Sequence, residues 1–269
     1  MSNSAISNNS IDINKLKISS FDIFSASAYE SCLELYQLCQ KYDLSVPTLF
    51  TSEDLCFVTD HPFIYVATYN DTAVGCCLVC ATYDIERELC IYVHPDYRRC
   101  GIGSRLLDAV IDDYEEIYLI SNVSPDNTGG IKFLNAMNFE YDGCECKMEL
   151  HNSLHQNLSD IITLPSHMKI SKSIESQGDI LYSLSINSNQ IGSCHIFVED
   201  KICVIHDVLI DEKYRDKGYA TMMLRSVLSS ELDTFERILL HVTKENLPAY
   251  NLYINLGFTV TDEVLVYVL

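Results

Sequence analysis

The chain has 269 residues, 38 acidic against 18 basic side chains and a formal net charge of -20. So acidic a balance excludes general nucleic-acid binding, which needs clustered positive charge; it either favours a cationic partner such as an amine or a Lys/Arg-rich peptide or serves only solubility. No apolar run approaches the roughly 20 residues that span a bilayer, and MSNSAISNNS (1–10) has no basic stretch leading into an apolar one, so the twelve cysteines read as reduced thiols of a cytoplasmic protein.

In chain order, AYESCLELYQLCQKYD (28–43) is helix-like, and FIYVATY (63–69) and VGCCLVCA (74–81) form hairpin-like strands. Cys76, Cys77, Cys80, Cys144 and Cys146 fall in strands, where successive side chains point to opposite faces; they are expected as small buried hydrophobes, and no metal site is predicted. LCIYV (89–93) is a short buried strand, followed by the Arg/Gly loop HPDYRRCGIG (94–103). An amphipathic helix then carries Leu106, Leu107, Val110, Ile111 and Tyr114 on one face. IYLIS (117–121), a short helix and terminal strands complete this half. HNSLHQNLSD (151–160) is a linker by composition. Strands follow near 167–173, 180–187 and 191–198, then ICVIHDVLI (202–210) and a second loop, YRDKGYA (214–220). A helix with Met223, Leu224, Val227 and Leu228, the strand ILLHV (238–242), a short helix and a strand ending EVLVYVL close the chain.

The two halves repeat one another. Tyr97, Arg98, Gly101 and Gly103 recur as Tyr214, Arg215, Gly218 and Ala220, and Asn127 and Phe139 recur as Asn246 and Phe258. Strands alternating with helices in both halves imply an α/β unit with a parallel segment. A glycine-bearing turn between a strand and a helix N-terminus exposes backbone N–H groups to an anion, helped by the helix dipole. Arg98, Arg99 and Lys217 would add charge at the rim. The loops lack the third glycine of a dinucleotide fingerprint and the GK[ST] of a Walker loop.

Val93-x-Pro-x-Tyr-Arg-x-x-Gly-x-Gly after a strand resembles motif A of the GNAT-type N-acetyltransferase superfamily, and NLPAYNLYINLGF (246–258) resembles its motif B. The resemblance implies two tandem acetyltransferase-type domains, each a mixed, mostly antiparallel sheet flanked by helices, with its fourth and fifth strands parallel and splayed. The domains are expected at 1–150 and 161–269, the second shortened at its N-terminal helices. The implied activity is acetyl transfer from acetyl-CoA (coenzyme A) to a small-molecule or peptide amine. The family's backbone contacts to pantetheine would fall at Ile91, Tyr92 and Val93 and at Val208, Leu209 and Ile210. Its pyrophosphate loops would be Arg98, Arg99, Cys100, Gly101, Ile102, Gly103 and Ser104, and Arg215, Asp216, Lys217, Gly218, Tyr219, Ala220 and Thr221.

The copies differ in catalytic equipment. Tyr253 stands where the family places the tyrosine that protonates the departing thiolate, and the first copy has Leu134 there. Bases fall at His241 (Asn122 in the first copy) and His206, which the repeat aligns with Leu89. Asn246 opens motif B. Chemistry is therefore expected in the second domain. The alternatives are activity in the first domain, or a non-catalytic acyl-CoA- or partner-binding tandem.

Overall fold

The computed structural model describes residues 11–269 apart from 44, 48, 52–60, 84, 115–116, 151–163, 177, 200 and 232–234. The linker expected at 151–160 and the polar first ten residues lie outside the described residues. The chain forms two compact units. One holds the residues up to Asp142 together with Val264–Leu269, and the other holds Gly143–Glu263.

In the first unit, β1 (Lys17–Phe21) precedes α1 (Ala26–Tyr42), whose N-terminus is capped by Ser25, its hydroxyl accepting from the Ala28 N–H. The buried stripe Ala28, Cys32, Leu35 and Cys39 turns α1 toward the sheet. β2 (Ile64–Tyr69), β3 (Thr72–Tyr83) and β4 (Glu86–Val93) follow, antiparallel in sequence with β1. Next come α2 (Ile102–Asp113), β5 (Tyr118–Val123) and α3 (Thr128–Ala136). β4 and β5 run parallel and pair only from Glu86↔Tyr118 to Glu88↔Ile120. Beyond that rung they part, as the sequence resemblance implies. The free side of β5 pairs antiparallel with Leu265–Val268.

The second unit repeats the plan without a counterpart of α1 among its described residues. β6 (Glu140–Leu150) leads into it, followed by the meander β7 (Met168–Ser176), β8 (Asp179–Ile186), β9 (Asn189–Glu199) and β10 (Ile202–Ile210). α4 (Tyr219–Glu231), β11 (Arg237–Thr243), α5 (Leu247–Asn255) and β12 (Phe258–Val268) complete the chain. The parallel pair here is β10/β11, ending at Ile205↔Leu240. The partner on the free side of β11 is Glu145–Leu150 of β6. Thus β5 is completed by residues 265–268, and β11 by residues 145–150.

Local chemistry explains the repeated turns. Asn70-Asp71 and Asn187-Ser188 both have two consecutive positive φ angles (49° and 61°; 49° and 66°). That is the two-residue hairpin turn whose twist suits flanking strands, and Asn and Asp tolerate it best after glycine. Cys76, Cys77 and Cys146 are fully buried and Cys144 nearly so, all as free thiols, as their strand setting predicts, whereas Cys80 is only half-buried.

Gly192 on β9 faces Ile210 on β10. A Cβ there would meet the Ile210 side chain and lie 2.7 Å from the Leu209 carbonyl oxygen. Gly192→Ala is therefore expected to destabilise the second unit by about 1–3 kcal/mol, seen as a lower midpoint in thermal unfolding.

Candidate active site

Both Arg/Gly loops adopt the same backbone. Arg99 and Gly101 have φ of 64° and 82°, and Asp216 and Gly218 have φ of 59° and 78°. Alternating left-handed residues before a helix turn successive N–H groups toward one point, which makes an anion-binding concavity. Gly101 is the N-cap of α2 with no side-chain cap, so its first-turn N–H groups are available to a ligand. Each loop is also tied back to the strand before it. Arg98 donates from Nε to the Val93 carbonyl at 3.1 Å, and Arg215 from Nε to the Ile210 carbonyl at 3.0 Å.

The loops differ in what surrounds them. Arg98 also makes a two-pronged pair with Asp43 just after α1, both distances 2.7 Å, and this pairing raises its proton affinity further. Its guanidinium anchors the loop to α1 instead of serving at the rim, a correction to the sequence reading. Cys100 sits as a spacer, its thiol 3.6 Å from the Arg98 carbonyl. A Cβ on Gly103 would lie 3.1 Å from the Phe133 ring of α3 and 3.7 Å from Val93, and one on Gly101 would lie 3.8 Å from Ile13. Apolar side chains of the first unit thus stand over both glycines of its loop.

In the second loop, a Cβ on Gly218 would meet nothing within 4 Å. Arg215 has no carboxylate partner among the described residues. Lys217 donates to the Lys213 carbonyl, and both ammonium groups stand over the Tyr214 ring, 5.6 and 5.1 Å from its centre. Tyr219, Ala220 and Thr221 form the first turn of α4. This loop presents open backbone and cationic side chains in an otherwise acidic protein.

The strands before the loops differ more. β4 pairs with β3 without a shift from Arg87 to Val93, so Ile91, Tyr92 and Val93 form a straight edge. β10 has a bulge. His206 pairs with His195, but the next rung is Leu209↔Ser193, and Asp207 has φ of 48°. A bulge adds one unpaired residue and bends the strand. It lies immediately past the last β10/β11 rung, where the strands part. Val208, Leu209 and Ile210 run from it to the loop, with β9 on one side and the splay on the other.

The bulge also corrects the alignment of His206 with Leu89. Leu89, Ile91 and Val93 share a face with Gly75, against which Ile102 and Leu106 of α2 pack. In the second unit, Tyr182 lines a cavity with Ser226 and Val227 of α4. The cross-strand pairs Tyr182↔Cys194 and Ile196↔Ile205 put Ile205 on that helix-covered face. His206, the next residue, points to the opposite face. Parallel registry puts His241 on that face too, one rung past Ile205↔Leu240. The two imidazoles flank the mouth of the splay.

His206 is the more engaged. Its Nδ1 lies 3.0 Å from Asp207 Oδ2 and its Nε2 3.6 Å from Asp179 Oδ1. His241 is exposed, opposite Lys147, with no polar side-chain partner among the described residues. Asp179 and His195, both at the mouth, were not singled out from sequence. They lie on separate strands, and only the pairing of β8, β9 and β10 brings them to His206.

Tyr253 is buried on α5, its ring 6.0 Å from Phe258. Burial, reinforced by the nearby Cys194 thiol, pushes its phenol up to about 12, so it keeps its proton at neutral pH. Cys194, whose thiol acts on that phenol, lies on β9 opposite the bulge, between the rungs of His206 and Leu209. Asn246 is the N-cap of α5, its Oδ1 accepting from the Ala249 N–H at 3.4 Å, as Asn127 caps α3 through the Gly130 N–H at 2.9 Å. It holds the helix that carries Tyr253. Asn138 and Gly257, at matching places of the repeat, are both left-handed (φ 64° and 96°) at the end of their helix, and asparagine tolerates that position.

A splayed parallel pair followed by an Arg/Gly anion loop thus recurs in both units, and the second unit adds an open loop and a helix-borne phenol. The model of the Acetyltransferase (GNAT) family matches the chain twice, over residues 29–139 and 152–258. The chain belongs to this acetyltransferase family.

Solved GNAT structures share its architecture. A GCN5-related N-acetyltransferase from Sphaerobacter thermophilus superposes with a TM-score of 0.69 at 13% identity, over 95% of this chain and 96% of that one. A tandem GNAT protein from the clavulanic acid biosynthesis pathway gives 0.66 at 13% identity, over 94% and 98%. A putative acetyltransferase from Pyrococcus horikoshii gives 0.55 at 12% identity, over 97% and 91%. Likeness at such identity concerns the fold. No functionally curated protein matches the chain, and no described helix is long and apolar enough to cross a membrane.

Proposed function

We propose that the second unit transfers an acetyl group from acetyl-CoA to an amine, and that the first unit serves mainly as scaffold. The observation that carries this reading is the bulge at Asp207, opposite the Cys194 that acts on the buried Tyr253, with the open Gly218 loop beyond it. The first unit has a straight strand, Leu134 and a covered loop at the matching places.

The residues of the second unit fit the coenzyme. The backbone N–H groups of residues 216–221, with Arg215 and Lys217, suit a pyrophosphate, and the splay-side edge of Val208–Ile210 suits the amides of the pantetheine arm. Acetyl-CoA, when bound, supplies the thioester carbonyl that the amine attacks. The residue that the bulge leaves out of the β9 register offers its backbone N–H to the oxygen on which charge develops. Tyr253 Oη holds the proton that the departing thiol requires. The amine arrives at the face carrying His206 and His241. His241, without a polar side-chain partner among the described residues, takes the amine proton through water. Asp179 and Asp207 at the same mouth favour a cationic acceptor.

Calorimetric titration with acetyl-CoA tests the reading together with thioester cleavage across a panel of amines. One binding site and turnover on at least one cationic amine are expected. Binding without turnover on any amine would favour a non-catalytic acyl-CoA binder, and no binding at all would reject the proposal.

A further inference from the structure

On the face of the second unit opposite α4, side chains of three adjacent strands converge on one point. Asp179 of β8, His195 of β9 and His206 of β10 each offer one donor atom, and these atoms lie within 4.8 Å of one another. Asp179 Oδ1 is 3.2 Å from His195 Nδ1 and 3.6 Å from His206 Nε2. The two rings are 5.2 Å apart and tilted by 32°, so neither blocks the other's nitrogen. The strands set this geometry. His195 and His206 are direct cross-strand partners, and Asp179 is opposite Phe197, one same-face position along β9 from His195.

Two imidazoles and one carboxylate form the donor set that borderline transition-metal dications prefer. Zinc bonds of about 2.0–2.2 Å in a tetrahedral arrangement separate neighbouring donors by about 3.3–3.5 Å, close to both Asp179 distances. A second feature points the same way. The other nitrogen of His206, Nδ1, lies 3.0 Å from Asp207 Oδ2. Carboxylates on the far nitrogen of a ligating histidine fix its ring and tautomer and strengthen it as a ligand. Asp207 reaches His206 because it is the left-handed residue of the bulge. The side chains are a quarter to two-fifths exposed, which leaves an entry path and room for a further ligand from solvent.

We propose that Asp179, His195 and His206 bind a divalent transition-metal ion of the zinc class, with Asp207 as the outer partner of His206. The ion staples β8, β9 and β10 on the face where the described residues of the second unit hold no counterpart of α1. The site stands whether or not the unit transfers acetyl groups, although an ion there removes His206 from proton transfer.

The test needs no acetyl-CoA. Cobalt(II) is titrated into the metal-free full-length protein and followed by visible absorption, with zinc binding measured by calorimetry and by thermal unfolding. The proposal expects one equivalent bound, d–d bands without thiolate charge transfer, and an unfolding midpoint raised by zinc. It also expects His195→Gln and Asp179→Asn each to weaken binding at least about tenfold, the loss typical of losing a ligand's support. Circular dichroism of the metal-free variants establishes that they fold. Thiolate charge-transfer bands would assign the metal to the cysteines and overturn the proposal. Unchanged affinity in His195→Gln, or no binding to the wild-type chain, would do the same.

Discussion

Tyr253→Phe is expected to lower kcat for acetyl transfer by about 100- to 10,000-fold, the usual range for loss of a positioned general acid, with little change in KM for acetyl-CoA. The split follows from where the phenol sits. Its ring packs against Phe258 and is buried, so phenylalanine keeps the packing and removes only the proton. The hydroxyl is proposed to act on the departing sulfur, which needs it only as the carbon–sulfur bond breaks, so ground-state binding is spared. A hydroxyl held by burial and pushed up to about 12 stays protonated across the neutral range. Activity should therefore show no loss on the alkaline side from this group until well above pH 9. Single-turnover kinetics would check the assignment. A Tyr253→Phe enzyme with wild-type kcat would remove Tyr253 from the chemistry.

Gly218→Glu is expected to raise KM for acetyl-CoA at least about 100-fold, because like-charge juxtaposition costs several kcal/mol. A carboxylate there would stand in the concavity proposed for the pyrophosphate. The left-handed φ of 78° adds backbone strain of order 1–3 kcal/mol for a non-glycine residue. Gly101→Glu is the matched control, since Gly101 has nearly the same φ and suffers the same strain in the first loop. Transfer by that variant should stay within about threefold of wild type. The two variants share their backbone strain, and circular dichroism of each establishes that it folds, so their kinetic contrast isolates which loop binds the coenzyme. If Gly101→Glu were the more damaging, the chemistry would belong to the first unit.

Much of this was legible before any coordinates. Periodicity placed the helices and strands, because each buries one face and so repeats its apolar residues at a fixed interval. The internal repeat located both loops, and both adopt the same alternation of left-handed residues. The misses have a common origin in contacts distant along the chain. Arg98 looked like a free cation because Asp43, its partner, is contributed by the end of a helix far upstream. Asp179 and His195 carry no local signature, and only strand pairing converts them into neighbours of His206. The bulge was hidden for another reason. It inserts one residue without a glycine to mark it, so a constant repeat offset matched His206 to Leu89 across opposite faces of the sheet.

The pairing of β5 with residues 265–268, and of β11 with residues 145–150, has a consequence for synthesis on the ribosome. Chains ordinarily fold their N-terminal domain while the rest is still being made. Here β1 to β5 can assemble early, but β5 keeps an unpaired side until residues 265–268 have emerged. The nascent first unit thus carries an open strand edge, the kind of surface that templates mispairing, through the whole translation of the second unit. The strand ready to fill that gap too soon is β6, whose proper place is beside β11. Emergence of residues 265–268, not completion of the first unit's own segment, sets the moment at which the open edge of β5 closes.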